Sequence, residues 1–160
     1  MYIVDKVSGV TQLHHIVYVV CAESPVIKTF TADALSPFGK DIHVEGMKNP
    51  SDIVACRDDR QLYVADEDYC IWRVSAADHS DQEKWLPTEP ATDTFSVSKL
   101  SVTSRRLLVT SSRSLHEYST TDRQLLRDIR LPSLFHGVET TRDTFVISQE
   151  CAVNEQSCLK

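Results

Sequence analysis

The chain has 160 residues, of which 41% are hydrophobic and 25% are charged, a balance typical of one globular domain. This composition excludes a disordered chain, a collagen-like chain and a large multi-domain enzyme. The 17 basic and 23 acidic residues give a formal net charge of −6, which argues against a general nucleic-acid binder. Only four residues are glycine, so folds that need several glycine-rich phosphate loops are disfavoured.

The N-terminal region and the cysteines point to an intracellular protein. Polar residues at positions 11–15 interrupt the apolar stretch that a signal peptide would need. The longest apolar run covers residues 16–22 and is far shorter than the roughly 20 residues of a transmembrane helix. The five cysteines form no C-x-x-C pair and read as reduced thiols. We therefore expect a cytoplasmic location, with no membrane association and no metal site.

Short apolar segments separated by polar turns run along the chain and predict strands throughout. Three of the segment pairs are joined by a polar turn, at residues 57–60, 104–106 and 142–143, which is a hairpin pattern. The turns contain Asp, Ser and Arg instead of Gly, so type I geometry is expected there. No segment predicts a helix longer than two turns. Strands are predicted near residues 16–21, 26–30, 41–45, 53–56, 62–65, 71–74, 83–86, 100–103, 107–110, 115–118, 124–131, 138–141 and 145–148.

The predicted strands repeat at a regular interval. Tyr18-Val19, Tyr63-Val64 and Leu108-Val109 are each separated from the next pair by 45 residues, and an apolar residue follows each segment at the same spacing. A fourth, partial copy surrounds Phe145. A repeat of about 45 residues that holds four short strands is the period of a propeller blade. A β-sandwich with similar strands is the alternative architecture.

One of these repeats resembles a known family. Residues 62–74, which read LYVADEDYCIWRV, resemble the signature of NHL repeats, and the preceding NPSDIVA is similar to the phrase that opens such a blade. Ser51-Asp52 replaces the glycine usual in that phrase. The resemblance covers residues 48–86 well and the other repeats faintly. It implies an all-β fold, a propeller-like array of four-stranded antiparallel blades, used as a binding platform for proteins or structured RNA.

The repeats set the predicted domain organisation. Residues 1–149 form one NHL-like segment, with blades at about 8–47, 48–94 and 95–133 and a half blade at 134–149, followed by a polar tail at 150–160. Because propellers usually close with about four to eight blades, this array is expected to be incomplete. The chain is then a part of a larger ring, or it self-associates through its open blade edges. A four-bladed ring completed by residues 2–4 is the third alternative.

Charge is distributed unevenly along the chain. Residues 41–94 contain thirteen acidic and five basic residues, whereas residues 99–142 contain eight basic and four acidic residues. Arginine suits the recognition of phosphate or carboxylate, so the basic region predicts either a salt-bridged surface or a patch for an acidic partner or an RNA backbone. Asp66 ends a predicted strand at a position where propeller loops often bind. The candidate binding residues are Arg105, Arg106, Arg113, Arg123, Arg127, Arg130, Arg142 and Asp66.

Catalytic patterns are weak in this sequence. No serine lies in a G-x-S-x-G motif, and the six histidines show no metal-binding spacing. The acidic residues at 58–59 and 66–68 do not fit an EF-hand loop. We therefore expect a non-catalytic protein-interaction module without a cofactor. RNA binding by the arginine-rich blade is the alternative. A calcium-dependent lactonase-like hydrolase, implied by similar six-bladed propellers, comes third.

Overall fold

The fold was analysed on a computed structural model. It describes residues 6–67, 69–86, 97–103, 105–111, 114–130, 135–141 and 144–149, of which the last two ranges and Ser98 are described as backbone only. The described residues form strands and turns and contain no helix, so none of them could cross a membrane as a helix. The prediction of an all-β fold is confirmed.

The strands fall into three four-stranded sheets and one two-stranded sheet. Within each sheet the strands follow one another in chain order, and every neighbouring pair is antiparallel. We call the sheets blades 1, 2 and 3 and the half blade. Their strands are β1 Val7–Leu13, β2 Ile16–Cys21, β3 Val26–Thr31 and β4 Ile42–His43; β5 Asp52–Cys56, β6 Gln61–Ala65, β7 Ile71–Ser75 and β8 Gln82–Leu86; β9 Val97–Thr103, β10 Arg106–Ser111, β11 Ser114–Ser119 and β12 Leu125–Arg130; β13 Phe135–Thr141 and β14 Thr144–Gln149.

The blades repeat one another closely in three dimensions. The second strands of the three full blades begin at Ile16, Gln61 and Arg106, which are 45 residues apart, as the sequence repeat predicts. The first strands β1, β5, β9 and β13 lie side by side, so each blade packs on the next. The sheets therefore form a propeller-like array, and none of them closes on itself.

A separate apolar core lies between each pair of full blades. The core between blades 1 and 2 includes Tyr18 and Leu62, and residues such as Ile27 and Val74 extend it outward. The core between blades 2 and 3 is built around Trp85, whose ring meets Tyr63 edge to face at 5.1 Å between centroids. Burial of large side chains in both cores is the main stabilising contribution to this arrangement.

The tight turns differ from the type I geometry expected from sequence. Leu13 pairs with Ile16, which leaves a two-residue turn whose first residue, His14, has a φ of 54°. Arg105, in the equivalent turn of blade 3, has a φ of 65°. Type I geometry was predicted for residues 104–106 and is wrong at Arg105, whereas no turn type was predicted for residues 14–15. Only turns with left-handed residues match the right-handed twist of the strands that they join, even where no glycine is present.

Candidate interaction surfaces

The two ends of the blades carry different structures. The hairpin end holds the turns that join β1 to β2, β5 to β6 and β9 to β10, and the link end holds the turns from β2 to β3 and from β6 to β7. At the hairpin end each of the three blades contains the same backbone hydrogen bond. The backbone N–H groups of Ala32, Ala76 and Thr120 each donate to the carbonyl of the last turn residue, His15, Arg60 and Arg105, at 2.8 to 2.9 Å. The repeat therefore fixes the geometry of this end.

The predicted binding residues do not form one patch. Arg105 and Arg123 lie at the hairpin end of blade 3, whereas Arg130 is the last residue of β12 and lies at the link end. Asp66 also lies at the link end, but on blade 2. Arg106 begins β10, and Arg127 lies in the middle of β12. Arg113 and Arg142 are outside the described residues. The binding role of these residues stays a prediction.

The Asp66 carboxylate is engaged inside the molecule. Its side chain is 4% exposed, and it accepts hydrogen bonds from the backbone N–H groups of Lys48 and Asn49 at 3.0 and 2.7 Å. The indole N–H of Trp72 donates a third hydrogen bond at 3.1 Å. Asp66 thereby ties blade 2 to the segment that arrives from blade 1. These contacts are those of a structural carboxylate.

Two arginines of blade 3 share one buried glutamate. Arg106 lies 3.1 Å and Arg127 lies 3.2 Å from the carboxylate of Glu117, whose side chain is almost fully buried. Beside them His116 faces Asp128 at 3.2 Å. Because a charge-assisted pair with a buried carboxylate is a strong internal contact, Arg106 and Arg127 hold the three outer strands of blade 3 together.

The other described arginines of the hairpin end connect blade 3 to blade 2. Arg123 lies 2.5 Å from Glu83, which also binds Arg73 at 2.7 Å. Asp59 on blade 2 faces Arg105 at 3.4 Å and accepts a hydrogen bond from the hydroxyl of Thr120 at 2.8 Å. Four of the arginines chosen from sequence are therefore partners of acidic residues within the chain. This is the salt-bridged surface that the sequence left open as one alternative.

Two groups that could act as nucleophiles are buried. Burial raises the pKa of the Cys56 thiol and of the Tyr63 hydroxyl, so neither group is an ionised nucleophile near neutral pH. Asp59 and Asp66, which the sequence considered for calcium, lie at opposite ends of β6. Among the residues with described side chains, no group of three or more His, Cys, Asp or Glu could hold a metal ion. The cysteines Cys21, Cys56 and Cys70 are buried and not in disulfides.

Open clefts separate the blades at the hairpin end. One of about 250 Å³ between blades 1 and 2 is lined by residues that include His14, Tyr18 and Arg60. Another of about 320 Å³ between blades 2 and 3 is lined by residues that include Arg57 and Val102. The first cleft reaches the outer turns of blade 2, whereas the second lies at the ends of the first strands β5 and β9.

A feature missed by the sequence is the outer face of blade 1. In each blade one sheet face turns toward the preceding blade, and we call it the receiving face. Cross-strand pairing places Val10 beside Val19 and Lys28 on this face of blade 1, and Gln12 beside Val17 and Phe30. In blades 2 and 3 the receiving face is covered by the blade before it. In blade 1 no residue of the described part of the chain covers it, and we call this face open.

Equivalent positions show how much this face differs from its counterparts. Val10, Ile53 and Leu100 occupy the same place in the three blades, and their exposed fractions are 57%, 1% and 8%. Val17 and Val19 are half-buried, whereas the residues at the same places in the other blades are buried. These counterparts are Leu62 and Val64 in blade 2, and Leu107 and Val109 in blade 3. Blade 1 therefore exposes apolar residues at sheet positions that are buried in blades 2 and 3.

Comparison with known proteins supports the fold. No family model and no curated protein matches the chain. Among solved structures, it is similar to the computationally designed Ika4 protein, with a TM-score of 0.68 at 12% identity over 90% of this chain and 85% of that one. It is also similar to the WD40 β-propeller domain of Doa1, with a TM-score of 0.66 at 13% identity over 85% of this chain and 44% of that one.

A third similar structure is the β-propeller domain of Cps50 (Swd1) from Myceliophteria thermophila. It has a TM-score of 0.64 at 9% identity, over 84% of this chain and 45% of that one. At such low identity these matches show the β-propeller fold alone. The chain spans less than half the length of the two natural propellers, and most of the length of the designed one. The NHL character of the repeats stays a prediction.

Proposed function

We propose that this chain is a non-catalytic protein-interaction module, built on NHL-like blades and acting in the cytoplasm. The observation that supports the proposal is the open receiving face of blade 1. Its partner is a protein that offers an apolar β-sheet face, because sheets of that kind cover the equivalent positions of blades 2 and 3. The similarity to WD40 propeller domains is consistent with this role.

The chemistry of the face suits a sheet better than a small ligand. Val10, Val17, Val19 and Phe30 lie on neighbouring strands and form an apolar cluster on the sheet, beside Gln12 and Lys28. Flat apolar surfaces are recognised by shape complementarity and by the area that they remove from water. A pleated partner sheet packs at about 10 Å from such a surface and interdigitates its side chains with it.

A position-specific crosslink tests the proposal. A photo-reactive benzoylphenylalanine replaces Val10 in the protein expressed in its own host, and adducts formed on illumination are identified by mass spectrometry. We expect one discrete protein adduct from position 10. The matched control carries the same group at Leu125, which is exposed and apolar but lies on the outermost strand of blade 3. An identical adduct pattern at both positions, or no protein adduct at position 10, would refute the proposal.

RNA binding by blade 3 is the second candidate. The observation in its favour is that Arg105, Arg106, Arg123 and Arg127 lie on one blade with partly exposed side chains, although each faces a carboxylate. It has less support, because the same arginines are held by those carboxylates. If RNA binds there, affinity for a single-stranded RNA falls steeply with salt, and Arg105→Ala with Arg106→Ala flattens that slope. Salt-independent binding would exclude RNA as the ligand.

A further inference from the structure

We propose that two copies of this chain close one propeller ring, with the half blade of each copy seated on the receiving face of blade 1 of the other. The inference rests on the proposed function and names its partner. It begins from the repeat, because the chain already contains two interfaces of the required type. Blade 1 packs on the receiving face of blade 2, and blade 2 packs on that of blade 3.

Three places on the open face have the same apolar residue chemistry as their buried counterparts. At the three places compared, Val10 matches Ile53, Val17 matches Leu62 and Val19 matches Val64. A large apolar side chain occupies each of these three places, whereas Gln12 and Lys28 on the same face are polar where blade 2 has Ala55 and Trp72. Isolated exposed apolar residues are ordinary on protein surfaces, but a contiguous apolar sheet face marks an interaction site.

The half blade is the natural donor for this face. Its strand β13 lies next to β9, as β5 lies next to β1, so the hairpin continues the same rotation from blade to blade. In the sequence repeat Val146 takes the place of Tyr18, Tyr63 and Leu108. Tyr18 and Tyr63 belong to the faces that blades 1 and 2 pack against the next blade. An interface between the half blade and blade 1 of a second copy would therefore repeat the two interfaces between full blades within the chain.

The number of blades fits a closed pair. The described residues of each copy contribute three four-stranded sheets and one hairpin. Counted as four blade positions from each copy, the pair lies at the upper end of the usual range of about four to eight blades. A head-to-tail interface forms a closed ring when its rotation closes, and otherwise it forms open filaments.

The first measurement is the mass of the purified chain by light scattering on a sizing column, over a range of concentrations. We expect a discrete dimer. Val10→Glu places a charge in the interface, and we expect it to weaken dimerisation at least about 100-fold. Leu125→Glu, at an exposed apolar residue on β12, should leave the dimer intact. A monomeric wild type, an open polymer, or a dimer that persists in Val10→Glu would overturn the inference.

A second variant controls for misfolding of Val10→Glu, and a crosslink identifies the two surfaces that are in contact in the dimer. Gln12→Arg changes another exposed residue of the same face and should also give a monomer, with an unchanged circular dichroism spectrum. Benzoylphenylalanine at Val10 should crosslink the purified dimer to a peptide from residues 135–149 of the second copy. A crosslink to residues 7–21 instead would indicate two blade 1 faces packed on each other, and would also overturn the inference.

Failure of this inference is distinguishable from failure of the proposed function. A purified chain that is monomeric, together with a position-10 adduct to a different protein in the host, would refute the second copy as partner and leave the interaction module standing. Absence of both the dimer and the host adduct would refute both.

Discussion

The two interfaces between full blades are built from different chemistry, although the blades repeat one another. At the same place on the first strands, blade 1 has Gly9, blade 2 has Asp52 and blade 3 has Lys99. Gly9 allows a close backbone approach, because a Cβ there would meet the backbone of Asp52 and Ile53 at 2.8 to 3.0 Å. Asp52 instead accepts a hydrogen bond from the backbone N–H of Leu100 at 2.9 Å and faces Lys99 at 3.7 Å.

The difference extends to the outer strands. The interface between blades 1 and 2 is mainly apolar and is closed at the link end by the Asp66 carboxylate. The interface between blades 2 and 3 adds ion pairs at its hairpin end, where Glu83 meets Arg123 and Asp59 meets Arg105. The same backbone geometry is therefore held by close steric packing between blades 1 and 2 and by additional charged contacts between blades 2 and 3. The two means respond differently to substitution, salt and pH.

The largest effect should come from disturbing the close approach at Gly9. Gly9→Ala adds a methyl group where the neighbouring strand leaves no room, and overpacking of this kind costs about 1 to 3 kcal/mol. Because each blade of a repeat array contacts only its neighbours, the loss should concentrate in blade 1. Hydrogen exchange followed by mass spectrometry should show faster exchange in β1 to β4 than in β9 to β12.

Gly39→Ala is the matched control. Gly39 has a φ of 65° and no atom within 4 Å of the position of an added Cβ, so the substitution costs only backbone strain, about 1 kcal/mol. Its effect should stay within the loop between β3 and β4. If both variants change exchange equally across blade 1, steric fit at Gly9 does not hold this interface.

A smaller effect should follow removal of the charge that joins blades 2 and 3. Glu83→Gln weakens the contacts to Arg73 and Arg123, and a networked, partly exposed pair contributes about 1 kcal/mol or less. Urea unfolding should show this loss at low salt. It should shrink in 1 M NaCl, where the screening length falls to about 3 Å.

Glu67→Gln tests the same change on an exposed pair. Glu67 lies 3.5 Å from Lys48, and both side chains are largely in solvent, so no measurable loss is expected. A Glu83→Gln loss that is independent of salt would show that packing, not charge, holds the second interface at its outer strands.

Part of this comparison could be read from the sequence. The 45-residue spacing of Tyr18 and Tyr63 predicted the second strands, and the hairpin pattern predicted the blades, because strand alternation and turn residues are local signals. The open face of blade 1 was not predicted. Its valines look like those of any buried strand, and only pairing in three dimensions shows that none of the described residues covers this face.

The candidate site was harder to predict for a related reason. Seven arginines within one charged region suggested a patch, yet Arg123 meets Glu83 across 40 residues of sequence, and Arg105 meets Asp59 across 46. Ion pairs between blades depend on which strands become neighbours, and the amino-acid composition does not show which strands these are. The left-handed turns were missed because glycine, their usual marker, is replaced by residues such as His14.

The smallest effect at neutral pH, and the most specific one, should come from Asp52. Burial raises the pKa of its carboxyl above the ordinary value, in spite of the Leu100 N–H and Lys99 beside it. The unfolded carboxyl titrates near pH 4, so between about pH 4 and the raised pKa the folded chain binds more protons than the unfolded one. Its contribution to stability is therefore complete below about pH 4 and is lost as the pH rises through the raised pKa.

Asp52→Asn keeps an acceptor for the Leu100 N–H and removes the charge, so at pH 7 its free energy of unfolding should lie within about 1 kcal/mol of the wild-type value. The wild type should gain stability relative to this variant as the pH is lowered toward 4. Asp78→Asn should show the opposite sign, because hydrogen bonds from the Ser80 hydroxyl and N–H lower the pKa of Asp78. Urea unfolding of both variants from about pH 2 to 8 measures the two trends, with the Asp52 effect above about pH 4 and the Asp78 effect below it. Parallel trends would mean that burial at the second interface does not control the Asp52 carboxyl.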